Sequence, residues 1–227
     1  DKKIELGDYQ GAIAYCNKAI EINPQDAAPY LNRAFAKNQL EDYQGAIYDY
    51  SKSIEIDPQN ISAYNNRGTI MCLNLGNHQG AIADYSKAIE LDQQDAGVYR
   101  NRGNAKCQLE DYQGAILDYN KAIAINPTDA KTYLNLVVCK RQLEDYQGAL
   151  VDLDMALEID SHNAVAYTLS GKIKSFLKNT QGALNDYNKA IEIDSQYANA
   201  YINRGEAKQE LGDLKGACDD WKKAADL

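Results

Sequence analysis

Across Ala27–Asn60 the order of apolar and polar residues describes two helices and two breaks. Ala27–Leu40 carries Tyr30, Ala34 and Leu40 at helical spacing and predicts a first helix, here called A. Glu41-Asp42-Tyr43-Gln44 predicts a turn. Gly45–Ile56 predicts a second helix, B, with Ala46, Ile47, Tyr50 and Ile54 on one stripe. Asp57-Pro58-Gln59-Asn60 ends the unit, because proline cannot continue a helix.

The same pattern returns along the whole chain. Its Gly-Ala step stands at Gly11, Gly45, Gly80, Gly114, Gly148, Gly182 and Gly216, so the spacing is 34 residues, with a single 35 between Gly45 and Gly80. Tyr30, Tyr64, Tyr99, Tyr133, Tyr167 and Tyr201 keep the same interval. A fixed period of this size marks units that stack on copies of themselves, because one unit cannot bury its apolar face alone. The boundaries are a partial unit 1–26, full units 27–60, 61–95, 96–129, 130–163 and 164–197, and a terminal unit 198–227. Small residues at fixed points predict a close A–B approach: Ala46, and Ala34 with its counterparts Gly68, Gly103, Gly171 and Gly205. Two units depart from the pattern. The unit 61–95 has one extra residue near Leu73–Leu75 and His78 in place of the turn tyrosine, which predicts an altered end of helix A near Asn74. Lys178-Asn179-Thr180 predicts a looser turn.

The string Tyr-x-Asn-Arg-Gly-x-Ala-Lys, followed by Leu-x-Asp-Tyr-x-x-Ala-Ile-x-x-Tyr-x-x-Ala-Ile-x-x-x-Pro, resembles the tetratricopeptide repeat, TPR. Residues 99–127 match it almost throughout, and the likeness covers the chain. The ending from Gly216 to Ala225 is similar to the terminal repeat of many bacterial TPR proteins, with Trp221 where inner repeats have Tyr50, Tyr85, Tyr119 and Tyr187. The resemblance implies an all-α, right-handed superhelix of antiparallel helix pairs, in which A helices line a concave groove and B helices form the convex back. It also implies a protein-interaction scaffold rather than an enzyme.

Charge sharpens this expectation. The chain of 227 residues has a formal net charge of −9, which argues against a nucleic-acid partner. The acids are not evenly spread. Helix A of the five full units contains no Asp or Glu, but it holds eleven cations: Arg33, Lys37, Arg67, Arg100, Arg102, Lys106, Lys131, Lys140, Arg141, Lys172 and Lys174. Arg33, Arg67, Arg102 and Arg204 share one register; Asp49, Asp84, Asp118, Asp152, Asp186 and Asp220 share another on helix B. A partly buried arginine requires a carboxylate, so Arg–Asp pairing is expected. Leu136 and Ser170 break the arginine column and leave Asp152 and Asp186 to find other partners.

The candidate ligand contacts lie on helix A. Asn32, Asn66, Asn101, Asn135 and Asn203 share a register broken only by Leu169. Asparagine is a mediocre helix-interior residue, but its amide offers a donor and an acceptor to an extended peptide backbone. By resemblance this register faces the groove; the alternative is packing against the neighbouring A helix. Arg100, Lys131, Arg141 and Lys172 are expected to add a basic patch, so the ligand would be an extended, neutral-to-acidic segment. The chaperone-tail clamp of some TPR proteins matches at Arg100, Asn104 and Asn135, but Val165 and Leu169 stand where it needs cations, so that clamp is incomplete.

Other chemistry is thinly represented. His78 and His162 are the two histidines and belong to no Cys-His or Ser-His-Asp arrangement, and no glycine-rich phosphate loop exists, so no catalytic residue, cofactor or metal is expected. Cys16, Cys72, Cys107, Cys139 and Cys218 show no metal-ligand spacing and predict free thiols and a cytoplasmic setting. No apolar run reaches the roughly 18 residues of a membrane span. The chain starts at Asp1 inside a repeat, so an upstream segment is expected. Two alternatives follow: a targeting or regulatory domain of a larger enzyme, and homo-oligomerisation through an N-terminal unit whose Ile13 and Ile20 lack a cover.

Overall fold

A computed structural model describes residues 2–227, the side chain of Glu5 apart; Asp1, the first residue of the partial unit, lies outside the described residues. Fourteen α-helices, and no strand, occur among the described residues. The chain divides into two compact units, one ending at Ile125 and the other starting at Asn126.

The first unit holds α1 (Lys2–Glu5), α2 (Tyr9–Ile22), α3 (Ala27–Gln39), α4 (Tyr43–Ile56), α5 (Ile61–Leu73), α6 (His78–Leu91), α7 (Ala96–Gln108) and α8 (Tyr112–Ile125). Consecutive helices pack: α3 on α4, α5 on α6 and α7 on α8 as A–B pairs, and α2 on α3, α4 on α5 and α6 on α7 between repeats. The second unit holds α9 (Ala130–Gln142), α10 (Tyr146–Ile159), α11 (Ala164–Phe176), α12 (Thr180–Ile193), α13 (Ala198–Glu210) and α14 (Leu214–Ala225), paired in the same way.

The B helices start two residues earlier than the sequence pattern suggests. Tyr43 and Gln44 are helical, because Asp42 caps α4 by accepting from the Gly45 N–H at 3.0 Å. Asp8, Asn77, Asp111, Asp145, Asn179 and Asp213 cap their helices in the same way. A Cβ on Gly45 would fall 2.1 Å from Oδ2 of the capping Asp42 carboxylate, so the glycine of the Gly-Ala step makes room for the cap, and the alanine after it packs the crossing. Ala46 and Ala115 are fully buried.

The true turn is shorter. Glu41, Glu110, Glu144 and Lys178 adopt φ of 60–63°, the same position that Gly7, Gly76 and Gly212 occupy elsewhere. A left-handed residue there reverses the chain, and only glycine adopts it without steric cost. The expected alteration at Asn74 is present: the Asn77 N–H reaches back to Met71 C=O at 2.8 Å, one residue further than Asp42 N–H to Lys37 C=O at 2.9 Å. The looser turn at Asn179 is not. Asn179 N–H binds Lys174 C=O at 2.8 Å and its side chain caps Gly182, so a capping asparagine and a left-handed Lys178 reproduce the usual geometry.

Each A–B crossing is a small residue against a large one. Tyr85 faces Gly68, Tyr119 faces Gly103, Tyr187 faces Gly171 and Trp221 faces Gly205, and an added Cβ would meet those rings at 3.0, 2.6, 2.4 and 2.5 Å respectively. Where Leu153 replaces the ring, Val137 replaces the glycine, and both are fully buried. Volume is conserved across the contact, as close packing requires.

Candidate ligand-binding face

The A-helix cations sort into two groups. Arg33 donates to Asp49 at 2.6 and 2.8 Å, Arg67 to Asp84 and Arg204 to Asp220 at the same two distances, and Arg102 to Asp118 at 2.6 and 2.9 Å. The remaining guanidinium nitrogen reaches the preceding B helix: Arg33 to Asn17, Arg67 to Ser51, Arg102 to Ser86 and Arg204 to Asn188, at 2.6–3.0 Å. Each of these guanidiniums also lies over the tyrosine three residues before it, 5.4–5.9 Å from the ring centre. Arginine thus ties together its own helix pair and the previous repeat.

A lysine column completes the device. Lys37 lies 2.7 Å from Asp49, Lys106 2.8 Å from Asp118 and Lys208 2.8 Å from Asp220. Lys140 and Lys174 lie 2.7 Å from Asp152 and Asp186 and are the partners that those two acids find in place of arginine, as ion pairs without an aligned hydrogen bond on that oxygen. The difference shows in their acidity. Burial raises the Asp152 carboxyl above the ordinary range and Lys140 offsets only part of this. At Asp220 burial also acts upward, but the bonds from Arg204 and Lys208 outweigh it and hold the carboxyl low.

Seven of the eleven cations, Arg33, Lys37, Arg67, Arg102, Lys106, Lys140 and Lys174, are therefore neutralised by helix B. That leaves Lys131 and Arg141 on α9 and Lys172 on α11; Arg100 on α7 is engaged in a contact of its own. Arg100 and Arg141 are half-buried, and Lys131 and Lys172 are exposed. Arg100 belongs to the first unit and the other three to the second. Arg141 and Lys172 line one cavity of 290 Å³ together with Tyr146 and Phe176. Lys172 also borders a cavity of 420 Å³ with Asn203, Glu206 and Glu210.

The asparagine column is only partly open. Asn32 is half-buried and borders a cavity of 630 Å³ with Lys2, Lys3, Leu6, Asp8 and Tyr15. Asn66 hydrogen-bonds the Tyr50 hydroxyl. Asn101 donates to Asn65 on α5 at 3.2 Å, so at this position the amide packs against the neighbouring A helix. Asn135 is half-buried on α9. Asn203 is buried and donates to the Asn199 carbonyl. Asn104 accepts from the Tyr119 hydroxyl at 2.9 Å and so belongs to the A–B contact.

At the N-terminal end Ile13 and Ile20 are half-buried rather than bare, on a helix, α2, that packs against α1 and α3; Leu6, Tyr15 and Ile22 are the exposed apolar residues there. Cys72 is buried and meets His78 Nδ1 at 3.4 Å, so His78 fills the tyrosine position with a polar contact of its own. All five cysteines are free. Among the described residues no helix is long and apolar enough to cross a membrane.

Sequence comparison decides the family. The profile described as TPR repeat matches residues 36–74, 71–109, 103–136 and 177–212, and a profile described as tetratricopeptide repeat matches residues 3–26. The chain belongs to the TPR family. The structure of YrrB, described as a TPR protein with an unusual peptide-binding site, is 24% identical with a TM-score of 0.71, over 82% of this chain and 95% of that one. MamA is 24% identical with a TM-score of 0.71, over 76% and 93%. The C-terminal part of a TPR repeat-containing protein from Cytophaga hutchinsonii is 20% identical with a TM-score of 0.85, over 100% and 93%. At these identities the likeness concerns the fold alone. A comparison with curated proteins gave no match.

The lysine column escaped the sequence reading, although a lysine twelve residues before each aspartate except Asp84 was there to see. Phe176, Glu206 and Glu210 escaped it too. Their signal was a departure from the repeat: Phe176 and Glu210 stand where Gln39, Gln108 and Gln142 do.

Proposed function

We infer that this chain works as a protein–protein interaction scaffold, the role its TPR repeats support. We propose that it holds an extended, neutral-to-acidic segment of a partner protein along the groove face of its A helices. The observation that carries this is the charge on α3, α5, α7, α9 and α11. They hold no acid, and after seven of their cations are matched by helix B they keep three more that no acid answers: Lys131, Arg141 and Lys172. Asn32, Asn66, Asn101, Asn135 and Asn203 would contribute backbone contacts where their amides retain a free donor or acceptor. Fluorescence anisotropy with labelled acidic and neutral peptides tests the reading. Reversing Arg141 and Lys172 to Glu should weaken the acidic peptide far more than the neutral one, with the loss shrinking at high salt. Equal binding by both proteins would remove the groove from the account.

Self-association through the N-terminal end is the second reading. Leu6, Tyr15 and Ile22 are 75%, 62% and 85% exposed there. Sedimentation equilibrium on the chain and on a Tyr15→Ser, Ile22→Ser variant decides it: a dimer lost in the variant supports it, and a monomer at all concentrations rejects it.

A further inference from the structure

Two A helices of the second unit, α11 and α13, carry unlike chemistry at equivalent places. Lys172 and Phe176 stand one turn apart on α11. Glu206 and Glu210 stand one repeat later, at the same two registers on α13. Lys172, Glu206 and Glu210 share the 420 Å³ cavity, yet among the described residues Lys172 forms no ion pair with either acid; Glu210 accepts only from the Thr180 hydroxyl at 3.2 Å. On the other side of Lys172, Arg141 joins it around the 290 Å³ cavity. There Phe176, 62% exposed, lies with its ring centre 4.3 Å from that of Tyr146, tilted by 36°. A large aromatic this exposed, at a position where three other repeats have glutamine, is not explained by core packing.

We infer that this face selects a segment of two charges: an acidic residue with a bulky apolar neighbour held by Arg141, Lys172, Tyr146 and Phe176, and a basic residue held by Glu206 and Glu210. The inference rests on the groove reading and narrows it, since an entirely acidic segment would meet like charge at α13. Spacing follows from the helices. Neighbouring helices lie roughly 8–10 Å apart, and an extended residue covers roughly 3.3–3.6 Å, so the two charges stand about three residues apart. The ion-pair arrangement within the repeats explains why these charges remain available. Every B-helix aspartate of the register is already matched by an A-helix cation, so neither Lys172 nor Arg141 has an internal acid to answer, and α13 uses Arg204 and Lys208 internally while Glu206 and Glu210 face outward.

The test uses the whole chain and labelled peptides that contain Asp-Leu-Ala-Lys, with the charges three residues apart, made in both chain directions. The better-binding direction should lose about 5- to 10-fold in affinity when its Lys becomes Glu, the scale of a partly exposed charge reversal. In the Glu206→Lys, Glu210→Lys variant the preference should invert, with circular dichroism and melting unchanged. Phe176→Ala should weaken the Leu peptide but not the version with Ala in its place. If the wild-type chain binds the Glu version as tightly as the Lys version, the two-charge selection is overturned while the acidic-groove reading stands. If it binds none of the peptides, both fall.

Discussion

The crossing of α11 and α12 permits a quantitative test of how the repeats are packed. A Cβ on Gly171 would lie 2.4 Å from one carbon of the Tyr187 ring and 2.8 Å from two others, and Tyr187 is only 1% exposed. Gly171→Val adds that Cβ and two methyls to a site with no space for them. Overpacking of this kind costs about 1–3 kcal/mol, of which about 0.4 returns through the better helix propensity of valine. Tyr187→Leu removes the ring and its hydroxyl contact with Ser175 at 3.4 Å. The lost packing and weak hydrogen bond together cost about 2 kcal/mol. The double variant recreates the Val137–Leu153 pair that the chain already uses, both members fully buried. It should therefore lose only about 1 kcal/mol, with a coupling energy of about 2 kcal/mol. Urea denaturation of the four proteins measures this as a double-mutant cycle. Additivity within about 0.5 kcal/mol would show that the two side chains do not contend for one volume, and the packing rule drawn from six repeats would be wrong.

Further outcomes follow from the caps, the ion pairs and the buried phenols. Glu144→Gly places glycine at a φ of 60° and should stabilise the chain by about 0.5–1 kcal/mol in urea denaturation. Asp118→Asn strands Arg102 and Lys106, whose distances to the carboxylate are 2.6 and 2.8 Å, and should cost about 3 kcal/mol. Asp152→Asn should cost clearly less in the same assay: burial raises the Asp152 carboxyl, so its ionised form already works against folding at neutral pH. Burial pushes the Tyr50 and Tyr85 phenols up to about 12, from an ordinary value of 10.0. Their neutral forms favour the folded state, so this stability is whole below pH 10 and is lost as pH rises through 12. A Tyr50→Phe, Tyr85→Phe variant should therefore keep more of its helical circular dichroism between pH 10 and 12 than the parent chain does; an identical loss in both would contradict the role given to these phenols.

The fold was legible because the repeat states it seven times. One unit's periodicity leaves helix limits uncertain, but the Gly-Ala step and the tyrosine column fixed the registers throughout. What the pattern concealed was local backbone chemistry. Asp42 reads as a turn residue until its carboxylate is seen on the Gly45 N–H, and that bond moves the helix start to Tyr43. The left-handed position could have been found from Gly7, Gly76 and Gly212, but Glu41, Glu110, Glu144 and Lys178 mask it in the other repeats. The candidate face was legible only in part. Arg33, Arg67 and Arg102 were correctly assigned to internal pairs with helix B, but the same role for Lys37, Lys106, Lys140 and Lys174 depends on side-chain reach, which spacing does not give. Asparagine at one register likewise has several fates: Asn101 bonds Asn65, Asn66 bonds Tyr50 and Asn203 turns to its own helix. Identity at a register does not determine a partner when the neighbouring residues change from repeat to repeat.

The central claim is that the A helices, and not the B helices, receive the partner. Backbone chemical-shift mapping of the full chain with the Asp-Leu…Lys peptide tests it most directly. Shifts concentrated on α9, α11 and α13, strongest around Arg141, Lys172, Phe176 and Glu206, are the predicted result. Shifts concentrated on α10, α12 and α14, with the A helices unmoved, would contradict it.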